Sequence, residues 1–502
     1  MKKNYVQKAV LIALAGCAVF FMSCGSKQKE VLTDKQSENV MTLGFTTEMN
    51  NFDPFTSMTA DARSINFNIF EGLIKVNSDG SFGAGLADSY SVSSDAKSYI
   101  FSIRKGVKFH DGKELDADDV LYSVQKAIEK GMAGYSKIET YSLDESGKLV
   151  VKLKSADTSF LAYLTSPIVE KDAKGLALNP VGTGPYMMKE YEEQSHLTLV
   201  RNKDYWGEGG SLDVIKIKFI SGQADMIMNF QAGSIDGFWS NADTVTQVES
   251  DSVNVYTRNS NTMQMLALNN AFGPFRDVRV RQAVNYLVDS SEIIETVNYG
   301  YGVKTGSPLI PALERYCEDS LAHAYERNVD KAKSLLAEAG YKDGFGFTIT
   351  VPSVYSVHVK TAEVIVNQLA AAGVRASIRQ VDWATWLSNV YKGRNYEATV
   401  ISLDGAIAYP TAYLARYDSK SEKNFVNFSS PEYDEVYAKA IAATDDAHAV
   451  EYFKEAQRIL SREAVSVFLE DISTLAIYNK HFEGSRHYPM YVIDLSAIHK
   501  VD

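Results

Sequence analysis

Strand and helix signals alternate along most of this chain, and that alternation restricts its fold more than any other feature. Apolar and polar side chains alternate in Ile215-Lys216-Ile217-Lys218-Phe219 and in Leu197-Thr198-Leu199. Tyr99-Ile100-Phe101-Ser102-Ile103-Arg104 reads as a strand in the same way. Between such runs lie helices with start and stop signals. Asp116 is placed to cap a helix whose apolar face is Val120, Val124, Ala127 and Ile128, with Asp119 in the first turn where the helix dipole favours it. Asp277 precedes a stripe of Val280, Ala283, Val284, Leu287 and Val288. Asn328 precedes Ala332, Leu335, Leu336 and Ala339, and Gly340 stands where a left-handed C-terminal residue is wanted. A fourth stripe, Ala362, Ile365, Val366 and Leu369, closes at Gly373. Helices interleaved with strands predict an α/β architecture. At 502 residues the chain exceeds the size at which one core keeps growing, so two or three domains are expected.

Several function classes find no support in the residues. A formal net charge of −12 argues against nucleic acid, because a phosphate backbone selects an excess of Lys and Arg. Beyond the N-terminal region only Cys317 remains, which excludes an intramolecular disulfide framework and a Cys-based zinc site. The eight histidines show no zincin spacing, and no Gly-x-Ser-x-Gly elbow occurs. Gly106 to Lys113 superficially resembles a phosphate loop, but Glu114 stands where a magnesium-ligating hydroxyl is required. No enzymatic activity, metal or cofactor is therefore expected.

The N-terminal segment reads as targeting sequence. Lys2, Lys3 and Lys8 precede a largely apolar run from Ala9 to Met22, and Ser23-Cys24-Gly25-Ser26 opens into polar sequence. That run is short for a membrane span, which needs about 20 apolar residues. A cysteine at the cut predicts a lipoprotein signal over residues 1–23, lipidation of Cys24 and a flexible tether over 24–37. Leu14-Ala15-Gly16-Cys17 is the competing site, but cutting there leaves an apolar mature end and a very short apolar region.

Four stretches carry a family resemblance. The first is Phe101 to Lys113 (Phe-Ser-Ile-Arg-Lys-Gly-Val-Lys-Phe-His-Asp-Gly-Lys), running on to Asp116-Ala117-Asp118-Asp119-Val120. The second is Pro180-Val181-Gly182-Thr183-Gly184-Pro185-Tyr186 with Arg201-Asn202-Lys203-Asp204-Tyr205-Trp206. The third is Leu268-Asn269-Asn270 with Gly273-Pro274-Phe275-Arg276-Asp277 and Arg281-Gln282-Ala283, and the fourth is Ala332 to Tyr341. Together, in this order, they closely resemble the peptide/nickel family of bacterial extracellular solute-binding proteins, family 5. The resemblance implies a two-lobed, periplasmic-binding-protein-like fold of the large class II type, with an extra domain in one lobe. It places lobe 1 at 38–75, 178–266 and 479–502, the extra domain at 76–177 and lobe 2 at 267–478. It implies a monomer that takes a short peptide or another small solute to the permease and ATPase subunits of an ABC importer, on the extracytoplasmic side and held to the membrane by its lipid. Nickel, haem or another solute is the alternative ligand, and a surface receptor or adhesin without transport is the alternative use. The motif residues read as scaffold: Gly182-Thr183-Gly184-Pro185, for example, looks like a turn where a positive φ is cheap.

The same resemblance directs attention to Trp383 through Pro410 for the ligand. Peptide-binding members place an aromatic residue at the position matching Trp383, and some twenty residues later an Asp that pairs with the α-ammonium, here matched by Asp404. A carboxylate facing an ammonium forms a charge-assisted hydrogen bond; turn capping is the other role open to Asp404. Trp386, three residues beyond Trp383, and Trp239, which follows Gly233-Ser234-Ile235-Asp236-Gly237, are further pocket candidates, with core filling as the alternative. Tyr355 and the Ser57 to Thr59 stretch are candidates from cleft-edge regions. Dipeptide-binding relatives hold the ligand carboxylate with an Arg in the region of Ser353-Val354-Tyr355, and this chain has none there.

Overall fold

The computed structural model describes residues 39–57, 59–248, 250–405, 407–443 and 445–501. The signal segment, the tether and Cys24 lie outside the described residues.

The backbone is organised around one long sheet of eleven strands. At one end lie Arg375–Val381, Gly346–Pro352 and Ala398–Asp404; at the other lie Gly237–Ser240, Val40–Phe45, Val214–Phe219, His196–Arg201 and Tyr186–Glu192. Two long strands, Val253–Leu268 and Ser466–Asn479, join the halves, and the short strand Gly302–Lys304 pairs with the second of them. Their first-half portion pairs Val253 with Asn479 through to Asn259 with Ser473. The register then slips, and pairing resumes at Met263 with Asp471. Asn261, inside that slip, has a φ of 62°, a left-handed conformation that Asn tolerates better than most residues. The sheet thus passes from one half to the other at 259–263. Leu266 and Leu268, a few residues further on, are fully buried in the second half's core.

Each half has its own apolar core. In the first, Met41, Leu43, Leu197, Leu199, Ile215 and Ile217 pack under the sheet. In the second, Val280, Ala283, Val284 and Leu287 meet Ala362, Ile365 and Leu369, with Ile349 and Val400 from the sheet. The helices begin where their caps predict. Asp116 accepts from the amides of Asp118 and Asp119, Asp277 from Arg279 and Asn328 from Lys331. A separate antiparallel sheet of four strands, Ala87–Val92, Ser98–Ile103, Leu149–Leu153 and Ile138–Leu143, carries the helix Ala117–Glu129. Phe101, Val120, Val124 and Val151 fill its core.

One buried carboxylate explains why two motif segments keep company. Glu71, 7% exposed, accepts from Thr183 Oγ1 at 3.0 Å, Tyr205 Oη at 2.8 Å and Trp206 Nε1 at 2.6 Å, and pairs with Lys75. The glycines of the same motif do something other than sequence suggests. Neither Gly182 nor Gly184 has a positive φ. A Cβ on Gly182 would lie 2.0 Å from the carbonyl oxygen of Ile69, and one on Gly184 would lie 2.4 Å from that of Asn68. The motif is a close backbone approach to the end of the helix Ala60–Ile69, and it fixes where that helix stops.

Candidate functional site

Where the halves and the four-stranded domain meet there is a cavity of about 380 Å³. Arg63, Asn66, Phe67 and Phe70 enter it from the helix Ala60–Ile69 and its end, and Met490, Tyr491 and Val492 from a segment near the C-terminal end. Met132, Ala133 and the segment Ala162 to Pro167 come from the four-stranded domain, and Asp404, Gly405 and Ile407 from the second half. The walls are largely apolar with a few convergent polar groups, the composition expected of a small-molecule site.

Asp404 is the last residue of the strand Ala398–Asp404 and pairs with Thr262, next to the register slip. Its backbone carbonyl accepts from Arg416 Nη2 at 3.1 Å. Its exposed carboxylate makes no hydrogen bond or ion pair among the described residues. The neighbouring Tyr413 phenol is pushed well above its ordinary range by burial, and further by the charges of Asp471 and Asp404. Ile407 to Pro410 lead into a short helix over Thr411–Leu414.

The aromatic candidates occupy three different situations. Trp383 is 41% exposed and stacks on Trp386, with ring centroids 5.1 Å apart and planes 9° from parallel. Tyr355, 42% exposed, meets Trp383 edge-on at 5.7 Å. These two rings form a ledge on the second half, and neither is among the residues lining the cavity. Trp386 itself is 2% exposed and donates from Nε1 to Thr399 Oγ1 at 3.0 Å, so it is a core residue that supports Trp383 from behind. Tyr355 also packs on His358, whose imidazole is buried, accepts or donates at Gln264 and is held neutral by burial, its pKa lowered to about 4. Trp239 lies in the first half between Phe45 and Tyr478, and its indole N–H is buried without an acceptor among the described residues. Thr59 caps the helix Ala60–Ile69, accepting from the Ala62 amide at 3.3 Å.

Sequence reasoning missed the helix face of Arg63, Asn66, Phe67 and Phe70. A signal existed: their spacing of i, i+3, i+4 and i+7 marks one face, and two polar residues on it are unusual for a core stripe. Met490 to Val492 carry no such local signal, because chain topology alone brings them there. Among the described residues no group of three or more His, Cys, Asp or Glu is arranged to hold a metal ion, and no helix is long and apolar enough to cross a membrane.

Residues 81–425 match the family described as bacterial extracellular solute-binding proteins, family 5 Middle. The chain is 28% identical to heme-binding protein A of Haemophilus influenzae, over 76% of this chain and 77% of that protein. It is 26% identical to the dipeptide-binding protein of Escherichia coli, over 82% and 83%. Among solved structures, the unliganded open form of the murein tripeptide-binding protein MppA superposes with a TM-score of 0.82 at 20% identity, covering 93% of this chain and 98% of that one. The Helicobacter pylori protein DppA in complex with the peptide STSA superposes with a TM-score of 0.71 at 23% identity, covering 92% and 98%. The fold is thus that of the two-lobed binding proteins of this group, and the chain belongs to the bacterial extracellular solute-binding proteins of family 5.

Proposed function

We propose that this protein is a lipid-anchored extracytoplasmic receptor that captures short peptides in the cavity at Asp404 and delivers them to an ABC importer. Solute binding in partnership with ABC permeases and ATPases is the property of the family. The peptide ligand, the anchor at Cys24 and the monomeric state are the proposal's own content. The observation that carries it is the Asp404 carboxylate, without a partner among the described residues and held at the edge of an apolar cavity to which both halves contribute. A cationic amine is the group that such a carboxylate recognises most strongly. The names of the relatives support the class of ligand, since peptides recur among them. The better overlap with an unliganded open form than with a peptide complex supports reading the present arrangement as the open one. Closure about 259–263 then brings both halves onto the ligand.

Native mass spectrometry of the freshly purified protein identifies what it carries. Peptides are the expected cargo; a tetrapyrrole or a metal chelate in their place refutes the peptide reading. A calorimetric double cycle then sets Asp404→Asn against N-acetylation of a bound peptide. Each change alone should cost roughly 2–4 kcal/mol, the scale for breaking a desolvated charge pair. The two should not add, because both remove one contact. Full additivity, or wild-type affinity in Asp404→Asn, moves Asp404 out of the site. Labelled fatty acid should enter the wild-type protein and not Cys24→Ala; label lost only from Cys17→Ala reverses the anchor assignment.

A further inference from the structure

The halves also meet through charge, outside the cavity lining. Lys360 Nζ lies 3.2 and 3.0 Å from the two carboxylate oxygens of Asp243, and neither residue lines the cavity. Asp243 stands in the first turn of the helix Ala242–Val248 of the first half, where the helix dipole favours a carboxylate. Lys360 stands in the second turn of the helix Ser356–Ala370 of the second half. Each helix follows the carboxyl end of a strand with a parallel neighbour: Gly237–Ser240 beside Val40–Phe45, and Gly346–Pro352 beside Arg375–Val381. The crevice of an α/β sheet lies outside such ends, so the two charges face one another across the cleft. Each helix is also seated in its own half. Ala242, Val245 and Val248 pack with Phe238 and Ile477. Ala362, Ile365 and Leu369 belong to the second half's core, and Thr361 Oγ1 donates to Gln264 Oε1 at 3.3 Å. Neither helix can follow the opposite half without leaving its own core, so parting the halves pulls on the pair.

We propose that Lys360 and Asp243 form a salt-sensitive strap that limits how far the empty cleft opens. The two side chains are 44% and 37% exposed, so their attraction is modest and is screened by salt. A modest strap suits exchange: it biases the halves towards each other by a small factor and leaves them free to part. It also acts on the ledge. Tyr355 immediately precedes the helix that carries Lys360, and Trp383 meets Tyr355 edge-on, so a tie at Lys360 keeps both rings near the first half before any solute arrives. The device works on the halves whatever the solute, so it does not rest on the peptide reading.

The test measures the separation of the halves directly. Asp251, just beyond the helix Ala242–Val248, and Asn367, two turns past Lys360, are both exposed. Each is replaced in the full chain by an azide-bearing amino acid that takes a spin label, so native cysteines play no part. Distances are recorded by pulsed electron resonance on protein that native mass spectrometry shows to be free of cargo. Raising salt from about 0.02 M to about 1 M, where the Debye length is ~3 Å, should move the otherwise wild-type protein towards longer distances. The ratio of wide to narrow arrangements should rise about 2- to 5-fold, the range for a partly exposed ion pair. Lys360→Gln and Asp243→Asn should each show that rise already at low salt, and added salt should then change little. Exchanging the charges, Lys360→Asp with Asp243→Lys, should recover most of the narrow population at low salt, an outcome that lost packing alone does not give. Distances that ignore both salt and the single substitutions overturn the inference. So do single variants that shift to shorter distances, or a charge exchange that recovers nothing. None of these results bears on which solute is bound, so the strap and the peptide reading fail separately.

Discussion

Replacing Glu470 by Gln should make the protein more stable above neutral pH and no more stable in mild acid. Glu470 lies on the strand Ser466–Asn479, opposite Gln264 and just beyond the crossing between the halves. Its side chain is fully buried. Asn298 Nδ2 donates to Oε1 at 2.8 Å, but Oε2 has no partner among the described residues, and a Cβ on Gly302 would lie only 2.2 Å from it. Burial, reinforced by the neighbouring Asp471 charge, raises the carboxyl from 4.5 to about 8, against the effect of the Asn298 bond. A folded pKa above the unfolded one means that the folded state holds a proton the unfolded state gives up between those values. The contribution is intact below about pH 4.5 and is lost as pH rises towards 8. At 1.36 kcal/mol per unit, roughly 4–5 kcal/mol is withdrawn over that window, and about 3 kcal/mol of it by pH 7. Gln cannot ionise, and its NH₂ replaces a protonated oxygen that is equally unpartnered. Urea unfolding of both proteins at pH 5 and pH 8 should therefore show curves that converge in acid and separate by a few kcal/mol in base, with Glu470→Gln the more stable. Stability differences that stay constant within about 1 kcal/mol across this range would show that Glu470 titrates as an ordinary carboxylate.

The stacked tryptophans should separate by assay. Trp386→Ala should cost about 3–5 kcal/mol of stability, as for a large buried aromatic, read as a lower melting temperature. Trp383→Ala should leave melting nearly unchanged, yet should weaken the fall in radius of gyration that X-ray scattering records on adding a bound peptide; a full contraction removes Trp383 from the ligand's contacts. Gly182→Ala forces a Cβ onto a backbone carbonyl and should cost more than about 3 kcal/mol or abolish soluble expression, with a wild-type melting curve refuting the close approach. Cys317 is buried, donates to the Ile310 carbonyl at 3.1 Å and has its thiol pushed up to about 12 by burial. It should resist a thiol reagent at pH 8 in the folded protein and react promptly in denaturant; fast labelling of the native state contradicts its burial.

What could be read in the sequence was whatever is decided within a turn or two of chain. The caps Asp116, Asp277 and Asn328 satisfy amides two or three residues ahead, so their meaning survives without tertiary context. Gly340 and Gly373 end helices with the positive φ that a left-handed residue requires, again a local matter. Gly182 and Gly184 look the same in sequence, but their constraint is a carbonyl more than a hundred residues away, which no local pattern encodes. The two tryptophans are a subtler case. At helical spacing Trp383 and Trp386 are equivalent, and only the strand behind them, with Thr399 placed to accept the indole N–H, makes one core and leaves the other open. The place of Asp404 at the cavity was expected through resemblance alone. The facing helix was not, because a stripe on a helix gives a face without saying whether a core or a cleft lies opposite.

The position of Asp404 also decides what it can and cannot do for closure. Its strand is hydrogen-bonded directly to Val253–Leu268, so the carboxylate stands about one strand spacing, ~5 Å, from the crossing. Trp383 follows the edge strand Arg375–Val381, three strands out, about 14 Å away by the same spacing. A rotation of about 10° about the crossing therefore moves Asp404 by ~0.8 Å but carries Trp383 by ~2.5 Å, three times as far on these strand spacings, and Tyr355, which follows Gly346–Pro352 two strands out, by ~1.7 Å. A contact that changes so little with rotation has nearly equal strength in the open and closed states, and a ligand shifts such an equilibrium only through differential affinity. On the proposed reading Asp404 captures and the ledge closes. Affinity lost through Asp404→Asn then falls on both states alike, and a saturated protein of that variant still closes fully. Loss of the ledge leaves capture in place and removes the free energy that holds the halves together.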